Sequence, residues 1–147
     1  MKIALIGCSG VGKTTCAKSF GFNESIDYDT DVILDFTKPQ NGRSLIKAIT
    51  EAKSPVVACS VFPFGLKQIV FIKKIEKLPI LFVYLSAPKG IIESRLANRF
   101  RYTVTMPDVE FEYMDEVCLS LKDKIIDTSF LNDNETIIKI KEIFWGI

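Results

Sequence analysis

Residues Gly7-Cys-Ser-Gly-Val-Gly-Lys-Thr14 follow the apolar run 2–6 directly and lead into a segment with helical periodicity. They fit G-x-x-x-x-G-K-[ST] at every position, in the strand-then-helix setting that the pattern requires. Glycines give the backbone conformations closed to other residues and let it approach an anion closely. The N–H groups of Gly7, Cys8, Ser9, Gly10, Val11 and Gly12 can then converge as an anion nest, backed by the positive end of the following helix. Lys13 adds a mobile cation for β- and γ-phosphates, the Thr14 hydroxyl is a Mg²⁺ ligand, and Thr15 is the last of the expected cofactor-binding residues. The expected ligand is a nucleoside triphosphate, ATP with Mg²⁺. Cys8 serves through its backbone rather than its thiol.

The rest of the chain suits a parallel sheet wrapped by helices. Runs at 2–6, 24–28, 55–59, 80–85 and 124–127 are β-branched or aromatic without strict alternation, as strands buried on both faces are. Helical periodicity occupies 13–20, 44–52, 65–76, 88–99, 107–121 and 134–145, the fifth opening on a Thr105-Met-Pro-Asp108 stretch similar to a capping box. With 147 residues and no repeat or linker, one domain over 1–147 is expected, three-layered with right-handed crossovers.

Composition removes several classes of function. The chain has no histidine, so imidazole acid–base catalysis is impossible, and its four cysteines lack CxxC spacing, so a zinc site is not expected. A net charge of +1 asks for no nucleic acid or anionic membrane. The apolar start runs into glycines and Lys13 rather than a cleavage site, and no uncharged run is long enough to span a bilayer. A reduced, cytoplasmic protein is the expectation.

Absent motifs narrow the triphosphate enzymes. No N-K-x-D or D-x-x-G supports a GTPase, and no acidic residue ends the runs at 55–59 or 80–85, as a motor ATPase would have. The acids come after the second run, in Ser25-Ile-Asp27-Tyr-Asp29-Thr-Asp31. That placement suits phosphoryl transfer to an acceptor near the second strand.

In these features the chain resembles the small P-loop kinases, particularly the shikimate and gluconate kinase branch and more distantly the nucleotide kinases. The resemblance is carried, in order, by the glycine loop, by Asp27-Tyr-Asp29, by residues 83–99 (VYLSAPKGIIESRLANR) and by residues 124–143 (KIIDTSFLNDNETIIKIKEI). It implies a P-loop NTPase fold with a five-stranded parallel sheet, order 2-3-1-4-5, and a short lid at about 100–107. It also implies an adenine-side loop at 127–133. Asp27 would hold a Mg²⁺-bound water and Asp29 would orient or deprotonate the acceptor hydroxyl, although Asp29/Asp31 is an alternative pairing. Arg95 and Arg99, four apart and so on one helix face, and Arg101 in the lid would grip the transferring phosphate. The plainer alternatives are a turn or cap for the acids and a solvated basic face for the arginines.

The chain departs from shikimate kinases after the third strand, where Ser60-Val-Phe-Pro-Phe-Gly65 replaces their glycine triplet. Phe62 and Phe64 there would stack on a nucleobase or simply pack beneath the next helix. The expected reaction is γ-phosphoryl transfer from ATP to a small acceptor, a nucleoside or nucleotide by preference. A sugar-acid or polyol kinase, a polynucleotide 5′-hydroxyl kinase and a non-catalytic nucleotide-binding module are the alternatives. Neither a membrane nor nucleic acid is an expected partner.

Overall fold

The computed structural model describes residues 2–8, 12–21, 41–59 and 63–146. Strands β1 (Lys2–Ile6), β2 (Val56–Ala58), β3 (Ile80–Ser86) and β4 (Lys124–Asp127) form a parallel sheet in the order β2-β1-β3-β4. The described sheet thus has four strands rather than the expected five, because the run at 24–28 lies outside the described residues. The four stand in the relative order of the third, first, fourth and fifth strands of the expected arrangement. Helices α1 (Lys13–Lys18), α2 (Asn41–Glu51), α3 (Pro63–Ile75), α4 (Lys89–Phe100), α5 (Asp108–Leu121) and α6 (Asp133–Trp145) complete the described elements.

The buried runs explain the sheet's place. Ala4, Leu5 and Ile6 of β1 and Phe82, Val83 and Leu85 of β3 are all buried, consecutive residues alike, since both faces are covered. Helices α2, α3 and α5 pack in a row, while α1 packs against α6, and both α1 and α2 contact β1. Leu45 and Ile49 of α2, Ile92 and Leu96 of α4, and Ile140 of α6 carry the apolar stripes inward.

At the amino edge of β3 and β4, Asp123 ties the pair together. Its Oδ2 accepts from the Phe82 N–H at 2.8 Å and its own N–H donates to the Phe82 carbonyl at 2.8 Å. Lys73 Nζ donates to Asp123 Oδ1 at 2.5 Å and to the Leu121 carbonyl at 2.9 Å. Lys73 thereby clamps α3 to the turn before β4.

One expected feature is corrected. Pro107 stands at the N-cap of α5 and no side chain caps that end, so Thr105 and Asp108 form no capping box. The helix begins at Asp108, which leaves Thr105 outside the capping position, and the Met106 N–H instead donates to Glu93 Oε2 at 2.7 Å. The capping box lies at α6: Asn132 Oδ1 accepts from the Glu135 N–H at 2.8 Å and Glu135 Oε1 from the Asn132 N–H at 3.1 Å.

Candidate active site

The strand order reverses between β1 and β3, the switch point at whose carboxyl ends such sheets place their ligand crevice. The glycine loop leaves β1 at that point. Gly7 has φ 142° and Gly12 has φ 91° with ψ 17°, at the N-cap of α1. Both lie in the positive-φ region that favours glycine, which explains the first and last glycines of the motif. Lys13 is buried, and its Nζ donates to the Gly7 carbonyl, closing the loop across its mouth. Burial pulls the Lys13 pKa down from the ordinary lysine range, with the thiols of Cys118, Cys8 and Cys59 lying in its electrostatic surroundings. Thr14 and Thr15 are exposed at the exit of the loop, so their hydroxyls are open to a ligand. Ser9, Gly10 and Val11 lie outside the described residues.

The segment after β4 reaches the same place. A Cβ built on Gly12 would stand 3.3 Å from Asp133 Oδ1, which brings the first turn of α6 against the glycine loop. Just after β4, the Thr128 N–H donates to the Ser86 carbonyl at 2.8 Å and the Thr128 hydroxyl to the same oxygen at 3.0 Å. Asp127 Oδ1 accepts from the Ser129 N–H at 2.9 Å and from its hydroxyl, contacts that hold the Asp127 carboxyl below the usual range. Phe130 then projects with 93% of its surface exposed.

The arginines separate. Arg95 Nη1 donates to the Thr128 hydroxyl at 3.0 Å and Nη2 to the Thr128 carbonyl at 2.5 Å, so Arg95 sits on the loop after β4. Arg99 is exposed, its guanidinium 5.6 Å from the Phe100 ring centroid. Arg101 ends α4 at φ 64° and is exposed as well. Residues 101–107 lie beside α4: the Phe100 and Tyr102 rings stack at 5.7 Å, and Lys89 meets Asp108 at 2.6 Å. Asp27, Asp29 and Phe62 lie outside the described residues, and Phe64 falls in the first turn of α3.

The cysteines are free and buried, and burial raises all four thiols, Cys59 and Cys118 to about 12. Such thiols are poor nucleophiles, in keeping with Cys8 acting through its backbone. Sequence reasoning missed one acid. Asp115 accepts a hydrogen bond from the buried Tyr84 hydroxyl at 2.6 Å, and its charge reaches Cys8 in the glycine loop. The available signal was an aspartate on the inward face of α5 beside Phe111, Met114 and Cys118.

No family model matches the chain, and no curated protein matches it in sequence. Solved structures do match in fold. Shikimate kinase of Acinetobacter baumannii, in complex with shikimate, aligns with TM-score 0.61 and 16% identity over 99% of this chain and 93% of its own. The tunicamycin resistance protein of Deinococcus radiodurans aligns with TM-score 0.61 and 19% identity, covering 99% and 96%. Shikimate kinase of Bacteroides thetaiotaomicron gives TM-score 0.55 and 19% identity, covering 100% and 99%. The chain therefore has the α/β fold of these proteins, over nearly its whole length and theirs. No helix among the described residues is long and apolar enough to cross a membrane.

Proposed function

We propose that the chain is a P-loop phosphotransferase, a single domain over 1–147 that moves the γ-phosphoryl group of ATP to a hydroxyl of a small acceptor. The observation that carries the reading is the loop between β1 and α1. Among its described residues, glycines stand at both positive-φ positions, Gly7 and Gly12, with a buried lysine across its mouth and an exposed threonine at its exit. The fold shared with the shikimate kinases supports it.

In this reading Lys13 leaves the Gly7 carbonyl for the β/γ-phosphate oxygens. Its burial then favours binding, because an anion restores the charged form that desolvation penalises. The acceptor oxygen bonds to the γ-phosphorus while the bond to the β-phosphate oxygen breaks, releasing ADP. The acceptor's proton passes to Asp29, and Asp27 assists the metal. Mg²⁺, when bound, neutralises charge on the phosphate oxygens. The described residues contain no cluster of three or more His, Cys, Asp or Glu able to hold a metal alone. The Thr14 hydroxyl and the phosphates themselves would hold the ion, as is usual for Mg²⁺.

The loop after β4, adjoining Gly12 through Asp133, takes the base side of the nucleotide, with Arg95 bracing it through Thr128. Residues 101–107 act as the lid that brings Arg99 and Arg101 to the transferring phosphate. In this reading the run at 24–28, which lies outside the described residues, supplies the fifth strand, and Asp27 and Asp29 come from it. The test is an ADP-release assay across nucleosides, nucleotides, polyols and sugar acids. Acceptor-stimulated ADP release lost in Lys13→Met is expected. ATP binding with no stimulation by any acceptor would point instead to a non-catalytic nucleotide-binding module.

A further inference from the structure

We infer that Asp115, oriented by Tyr84, reads the acceptor in this site and selects uncharged or amine-bearing hydroxyl compounds over acids. The inference rests on the phosphotransferase reading and names its acceptor class.

Tyr84 of β3 pairs in register with Ile6, the residue just before Gly7, so it stands at the base of the crevice. Its side chain is buried, and its hydroxyl donates to Asp115 Oδ1 at 2.6 Å. Helix α5 delivers the chain to the amino end of β4, so it runs against the strands, and its early turns lie toward the end where the glycine loop opens. Asp115 is about one turn nearer that end than Cys118, whose thiol already lies in the electrostatic surroundings of Lys13. It is half-buried on the inward face of its helix, where an uncompensated carboxylate is costly.

Tyr84 satisfies one carboxylate oxygen. Among the described residues the other accepts no hydrogen bond and no cation pairs with it. Helix α5 contains no lysine or arginine, and Lys67 of the adjoining α3 lies over the Tyr113 ring at 5.5 Å. A carboxylate with a free oxygen accepts from hydroxyl or ammonium groups and repels a carboxylate or phosphate on an incoming acceptor. Tyr84 is a positioning residue, fixing which oxygen remains available.

The experiment uses the whole chain with Mg–ATP and acceptors paired to differ by one acid group, such as a nucleoside with its monophosphate and a sugar with its sugar acid. The wild type is expected to favour the uncharged or amine-bearing member. Asp115→Asn is expected to raise KM for that member about tenfold and to narrow the preference, with kcat changed less and ATP affinity kept. Tyr84→Phe, which retains the carboxylate and the ring, is expected to move KM in the same direction by less. If no member turns over, acceptor binding is read by thermal shift. Preference for the acidic member, or an Asp115→Asn preference equal to wild type, overturns the inference. Should Asp115→Asn fail to fold, an unchanged KM in Tyr84→Phe does so. Failure of the wild type to bind Mg–ATP overturns the phosphotransferase reading instead.

Discussion

Replacing Gly12 with alanine separates the strain of the loop from its function. Gly12 holds φ 91° and ψ 17°, where an L side chain crowds its own carbonyl at a cost of about 1–2 kcal/mol. The new Cβ would also stand 3.3 Å from Asp133 Oδ1, the end of a side chain able to give by a few tenths of an ångström. Gly21 provides a matched control: its φ is 89°, and a Cβ there meets nothing within 4 Å. Both variants should therefore lose about 1–2 kcal/mol in urea denaturation followed by circular dichroism, lowering Tm by roughly 2–8 °C for a chain of this size. They should part company in calorimetry. Gly12→Ala should weaken Mg–ATP at least about tenfold, since an added methyl keeps the backbone from closing on phosphate, while Gly21→Ala should bind as wild type does. Wild-type affinity in Gly12→Ala, or equal weakening in both, would refute the assignment of this loop.

Other outcomes follow from the same geometry. Thr128→Val removes the hydroxyl that donates to the Ser86 carbonyl and accepts from Arg95, and should cost about 1–2 kcal/mol in urea melts. A loss near zero would show that the Thr128 hydroxyl adds nothing to the bracing that Arg95 gives the Thr128 carbonyl. Asn132→Ala breaks the capping box of α6 and should cost about 1 kcal/mol, with Glu135→Ala costing less. Lys13 makes a pH prediction. Its folded pKa lies below its unfolded one, so stability should rise with pH between the two values and stay level on either side. Phosphate pushes that pKa back up, so nucleotide binding should take up protons in the same window between the two values, seen as a dependence of binding heat on buffer ionisation. Lys13→Arg, always charged, should abolish the uptake.

The central strands β1 and β3 were legible because they are buried on both faces, whereas at the edge strand β4 only Ile126 is buried. The runs at 2–6 and 124–127 match β1 and β4 to the residue, and 80–85 falls one residue short of β3. Helix ends were harder, because they depend on contacts the sequence does not display. The 105–108 stretch has the composition of a cap, yet the Met106 N–H is drawn to Glu93, thirteen residues away on α4. Asn132 and Glu135 have the right spacing for a capping box, but they sit inside a polar loop that offers no periodicity to mark the start of α6. In the glycine loop, Gly7 and Gly12 could be read because each takes a positive φ, and Lys13 because its charge marks it. Asp115 could not, since its meaning comes from Tyr84, thirty-one residues away and on another element. Arg95 and Arg99, expected to share one role on one helix face, part for a similar reason, as Thr128 captures only the first.

The central claim is that the loop from Gly7 to Thr14 holds the phosphates of ATP through its backbone and Lys13. Isothermal titration of Mg–ATP into the wild type and into Lys13→Met, each shown to be folded by circular dichroism, tests it most directly. The account predicts saturable one-to-one binding by the wild type, weakened about tenfold or more in the variant. No binding heat from the wild type at buffers of differing ionisation enthalpy, or equal affinity in the two proteins, would contradict it.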